Sequence, residues 1–204
     1  MTENRKKGLR LTYNAPVVLT FVLLCVAAYL LNLLTGAKPD QGVSGWTNSH
    51  LFSVHRASLL DPLTYVRLFG HVLGHSSWEH LLNNAMYLLI LGPMIEEKYG
   101  SSNVLFVILA TALAVGVIQM IFFDTAVLGA SSVVFAFIIL ASITNMEQGT
   151  IPLTFILVVL LYIGQEVLNA FRADQVSQMA HIAGGVVGGA LGIVMNKLGM
   201  SRRS

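Results

Sequence analysis

Three polar clusters interrupt an otherwise apolar chain, and each holds a residue type used in acyl transfer. One is a hydroxyl pair in Gly129-Ala130-Ser131-Ser132. Another is an imidazole in Ala180-His181-Ile182-Ala183-Gly184. The third gathers His71, His75, His80 and Asn84. A serine hydroxyl attacks only when a base takes its proton, and a histidine that is neutral near pH 7 suits that task. Donors are then needed where the carbonyl oxygen becomes an anion. His80 and Asn84 are four residues apart, so they share a helix face from which an imidazole and an amide can point together. His71 and His75 have the same spacing, which a metal pair would use. No HExxH pattern accompanies them, and a structural hydrogen-bonding role is the expected one.

The elements that carry these clusters follow from composition. The 204 residues are 55% hydrophobic and 11% charged, whereas a soluble domain averages about 25% charged. A mean hydropathy of +0.71 points to a membrane protein. The net charge of +2 is too small for a nucleic-acid partner. The lone Cys25 excludes an intramolecular disulfide and a multi-cysteine metal site. Lipid-spanning backbone is helical or a closed barrel, and no alternating strand pattern is present.

At about 20 apolar residues per crossing, six helical spans are expected. They run about Ala15 to Leu34, His71 to Ile95, Asn103 to Phe123, Ser131 to Thr144, Ile151 to Leu168 and Ser177 to Leu198. The fold class is therefore all-α, a compact bundle of six transmembrane helices. Residues 1–14 form a basic cytoplasmic tail, 15–198 the membrane domain and 199–204 a second cytoplasmic tail. The first run follows Arg5, Lys6, Lys7 and Arg10 as a signal peptide would. Its apolar core is too long for one, and no small-residue cleavage site follows, so it reads as a retained span.

With both termini cytoplasmic, eight Lys and Arg residues lie inside and four (Lys38, Arg56, Arg67 and Arg172) lie outside. That asymmetry obeys the positive-inside rule. The long segment from Thr35 to Gly70 then becomes a structured external loop between helices 1 and 2. The second, fourth and sixth spans all run from outside to inside, so the three polar clusters reach similar depth.

The fourth span is too short to cross the hydrocarbon core. Ser131 then starts a helix beneath the surface, where unpaired N–H groups and partial positive charge gather. Gly129 frees the backbone to make the turn into it. In the sixth span Gly184, Gly188 and Gly192 recur every four residues, beside Gly185 and Gly189. Small residues so spaced let helix backbones approach closely and would bring His181 toward Ser131.

Taken in order, these pieces resemble the rhomboid intramembrane proteases. The matching residues are His75-x4-His80-x3-Asn84, Gly129-Ala130-Ser131-Ser132, and Ala180-His181-Ile182-Ala183-Gly184 with its glycine stripe. Secondary matches are Arg67, His71, the Glu96-to-Gly100 turn and Gln119. The resemblance implies a rhomboid-like fold of the minimal six-span bacterial type. It implies Ser131 as nucleophile and His181 as general base, with no acidic third member. His80, Asn84 and the Ser131 backbone N–H would form the oxyanion hole. The supporting residues would be Gly129, His71, His75, Arg67, Gly184 and Gly188. The implied substrates are membrane-anchored proteins met within the lipid bilayer. No cofactor, metal or nucleic acid is expected, and a bacterial inner membrane is the expected site.

Two positions depart from the family pattern. Ser132 stands where glycine is often found, which adds a second hydroxyl beside the nucleophile. Phe135 stands where tyrosine is often found and lacks its hydroxyl. The main rival reading is a non-catalytic rhomboid-like protein that binds membrane clients, but such relatives usually lack the serine or histidine. A transporter using the same histidines would need acidic partners at midplane and broken helices in paired halves. Neither is evident.

Overall fold

The computed structural model describes residues 12–143, 153, 156–157, 160–161 and 175–198. These residues form helices, and among them extended pairing is limited to the isolated bridges Lys38–Val43 and Val54–Val127. Helix α1 is Pro16–Leu34, with proline in its first turn, where a missing N–H costs nothing. Two short helices follow, α2 at Trp46–His50 and α3 at Pro62–Gly70. Next come α4 at Trp78–Tyr99 and α5 at Ser101–Phe122. Helix α6 is Ser131–Ile143 and α7 is Gln175–Lys197. Helices α1 and α5 are long and apolar enough to cross a bilayer. Most of the expected span Ile151 to Leu168 lies outside the described residues.

The second expected span begins later than its polarity suggests. His71–Leu73 is a 3-10 turn, and Gly74 is extended. Helix α4 starts at Trp78 because Ser77 caps it, its Oγ accepting the His80 N–H at 3.1 Å. His71 and His75 are therefore not on the helix that carries His80 and Asn84. The close fit of the preceding chain explains the break. A side chain at Gly74 would run into the Phe52 carbonyl.

One residue, Gly100, joins α4 to α5, at φ +83, where a side chain is strained. Glu96, near the end of α4, is buried and reaches the start of α1. Its carboxylate oxygens accept the Val17 and Val18 N–H groups at 3.0 Å each, and Ser101 Oγ donates to it at 2.7 Å. An anion there satisfies N–H groups that the helix itself cannot, and it opposes the positive end of the helix dipole. Gly92 lies against Val18 along the same α1–α4 contact.

Helix α6 is central, packed against α4, α5 and α7. Its Val133, Ala136, Phe137 and Leu140 are fully buried. At about 1.5 Å per residue its 13 described residues extend about 20 Å.

Candidate functional site

Ser131 is the first residue of α6, and Ala130 precedes it with its carbonyl accepting the Val134 N–H at 3.0 Å. Gly129 makes the turn at φ +128. It is glycine for two reasons. Few L side chains adopt that backbone, and a Cβ there would lie 2.7 Å from His80 Cε1 and 2.8 Å from Nε2. The same point is 3.8 Å from Ser131 Oγ. His80 and the Ser131 hydroxyl thus flank one bare Cα.

The neighbouring hydroxyls have different surroundings. Ser131 is half-buried, while Ser132 is 2% exposed. The Ser132 Oγ has no hydrogen-bond partner among the described residues. Ser132 lies on the side of α6 that meets α7, where a Cβ on Gly184 would run into the Ser132 carbonyl. One turn further, Gly188 lies against the Ala136 backbone, and then Gly192 against Leu140. The two helices therefore run parallel, in a register that advances four residues on each. His181 precedes Gly184 by three residues, so its backbone stands level with the Gly129–Ser131 turn. The His181 side chain lies outside the described residues.

On the opposite side, the turn before Ser131 is tied to the chain before α4. The His71 carbonyl accepts the Gly129 N–H at 2.9 Å, and His75 Nε2 accepts the Ala130 N–H at 3.5 Å. His75 Nε2 also lies 3.1 Å from Asn84 Nδ2. His71 and His75 are fully buried and Asn84 nearly so. His80 is half-buried, with Nδ1 3.2 Å from Ser76 Oγ. The His75 and His80 rings meet edge to face at 5.0 Å between centroids. The Arg67 carbonyl lies 3.2 Å from His71 Nδ1, while its side chain turns to other partners. It donates to the His50 carbonyl at 2.8 Å and pairs with Asp61 at 3.0 Å, fixing α3 to α2.

Other contacts were not visible as motifs. Val54 and Val127 exchange backbone hydrogen bonds of 2.9 Å, pinning the chain that leads to Ser131. Arg56 reinforces this, donating to the Met120 and Ile121 carbonyls and pairing with Asp124 at 2.7 Å. Gln119 donates to the Thr125 carbonyl in the loop after its own helix, at 2.7 Å. A cavity of about 910 Å³ opens between α1, α3 and α5, lined by apolar residues such as Phe21, Phe69 and Ile108. It contains none of the candidate residues. No group of three or more potential metal ligands occurs among the described residues.

Comparison with known proteins follows the same ground. Residues 62–198 match the rhomboid domain family. The chain is 26% identical over 192 residues to a protein named rhomboid protease GlpG from Haemophilus influenzae, covering 92% of this chain and 95% of that one. It is 32% identical over 121 residues to proteins of the same name from Yersinia pestis and Yersinia pseudotuberculosis. Those matches cover 59% of this chain and 40% of the Yersinia proteins' length.

Proposed function

The chain belongs to the rhomboid family, and from that premise we propose that it is an intramembrane serine endopeptidase. It cuts membrane-anchored proteins within or beside their spanning helices. The observation that supports this reading is the parallel α6–α7 register, which runs the His181 backbone level with the turn that begins at Gly129 and leads into Ser131.

In the proposed reaction, Ser131 Oγ attacks the scissile carbonyl carbon while its proton passes to His181. The tetrahedral oxyanion is met by His80, the Asn84 amide and the Ser131 backbone N–H at the start of α6. His181 then returns the proton to the amine, the C–N bond breaks and an acyl-enzyme remains. Water repeats the sequence with His181 as base, which releases the acid and restores Ser131. Ser131 is preferred to Ser132 because it lies on the His80 side, whereas Ser132 is buried against α7.

The architecture that goes with this function is a six-span domain over residues 15–198 between cytoplasmic tails 1–14 and 199–204. Its proposed place is a bacterial inner membrane, with the segment between α1 and α4 facing outward.

A fluorophosphonate probe on the detergent-purified protein tests the assignment. Labelling and cleavage of a membrane-anchored substrate should survive Ser132→Ala and disappear in Ser131→Ala. His181→Ala should lose turnover with the fold intact. Labelling that persists in Ser131→Ala and is lost in Ser132→Ala would move the nucleophile by one residue. A folded parent that neither labels nor cleaves would favour client binding without proteolysis.

A further inference from the structure

We propose that His75 is a positioning residue that fixes which way the Asn84 amide points and holds the turn before Ser131. This rests on the protease reading above and adds a role for a residue outside the proposed catalytic set.

The inference starts from a proton. His75 Nδ1 lies 3.0 Å from the Leu73 carbonyl, an atom that only accepts. Nδ1 therefore carries the hydrogen. In a neutral imidazole the other nitrogen is then an acceptor. Nε2 faces the Ala130 N–H, which only donates, at 3.5 Å. That is the weakest contact of the set, and its direction agrees with the tautomer. Nε2 also faces the Asn84 amide at 3.1 Å. An amide oxygen there would set two lone pairs against each other. Asn84 must turn its NH₂ toward His75, which settles an orientation that amide geometry alone leaves open. One amide hydrogen is used by His75, and the second is left for another acceptor.

His75 is itself held. Asn48, fully buried on α2, donates from Nδ2 to the His75 carbonyl at 3.0 Å. Asn32, near the end of α1, accepts the Gly45 and Asn48 N–H groups through Oδ1 at 3.0 and 3.3 Å. A buried polar chain thus runs from α1 through α2 to His75, and from there divides between Asn84 and the turn before Ser131. His75 touches both branches.

The test uses the full chain in detergent, ¹⁵N-labelled at histidine. The His75 signal, identified by its loss in His75→Gln, should show the proton on Nδ1 and a bare Nε2. A proton on Nε2 would overturn the proposal without any variant having to be active. In kinetics, His75→Leu should lower kcat about a hundredfold, as loss of an oxyanion donor does, with KM near the parent value. His75→Gln can place its amide oxygen near the Nε2 position and should stay within about tenfold of the parent, the scale of one altered hydrogen bond. Adding Asn84→Ala to His75→Leu should cost little more than either change alone. Additive losses, or a folded His75→Leu with parental kcat, would sink the idea. Should His75→Leu fail to fold, the tautomer and the His75→Gln rate decide. A parent that neither labels nor cleaves sinks the protease reading and leaves the tautomer result standing.

Discussion

Ser131 is held between two surfaces built on different principles. On the α7 side, Gly184 and Gly188 bring backbone against backbone at Ser132 and Ala136. On the side of the chain between α1 and α4, hydrogen bonds from His71, His75 and Val54 grip the residues leading into α6. Glycine packing sets a register through shape and leaves no room for an added atom. Lacing satisfies the polar backbone of an irregular segment and fixes directions, and it is spread over many bonds. Losing one bond should therefore cost less than adding one side chain to the packed face.

The largest effect expected is on the packed face. Gly188→Leu lies two turns from His181 and touches no proposed catalytic group. It should destabilise by about 3 kcal/mol, the upper range for overpacking, and sharply lower labelling of Ser131. Thermal unfolding in detergent measures the first and probe kinetics the second. A parental melting temperature would mean the α6–α7 contact is looser than described.

Next comes the centre of the laced side. Asn48→Ala takes a donor from the His75 carbonyl and should cost about 2 kcal/mol, the range for a buried group left unsatisfied. A cost equal to that of Gly188→Leu would erase the distinction between the two surfaces.

Arg56→Ala removes an exposed part of the lacing. The ion pair with Asp124 is 53% and 82% exposed on its two sides. The change should cost at most about 1 kcal/mol, and less in high salt.

The smallest effect concerns acid. Asp61 caps α3, accepting the Leu63 N–H at 3.0 Å. That bond, then Arg67, holds its carboxyl below the ordinary value. A depressed folded pKa gives stability that is present above the unfolded value, near pH 4, and lost as pH falls through the folded one. Asp61→Asn should therefore lower the melting temperature slightly at neutral pH, flatten the acid limb of its profile below about pH 4, and leave the most acidic end nearly unchanged.

Much of the fold was readable because its long helices are apolar runs. Helices α1 and α5 begin and end within two residues of where hydropathy places them, and α6 begins where expected. The start of α4 was misread because polarity alone does not separate a helix turn from a 3-10 turn. Ser77 was the local sign, a capping residue directly before the helical run. Gly129 and the glycine stripe were legible because glycine marks tight turns and close approach wherever it falls. The bonds of Asn32, Asn48 and Glu96 were not legible. Apart from Ser101 beside Glu96, their partners lie 13 to 79 residues away in sequence, and no spacing rule reaches that far. The same holds for His75, whose type was noted but whose two partners emerge only when three segments meet.

The α6–α7 backbone contacts of the glycine stripe join residues 52 apart in the chain, Gly184 over Ser132 and Gly188 over Ala136. Alignment of the two helices thus shows as a phase in the sequence. A single residue inserted between 181 and 184 turns His181 by about 100° relative to the glycines, the rotation per residue of a helix of 3.6 residues per turn. Keeping the two proposed reacting groups in step therefore depends on the spacing, within α7, between His181 and its glycines.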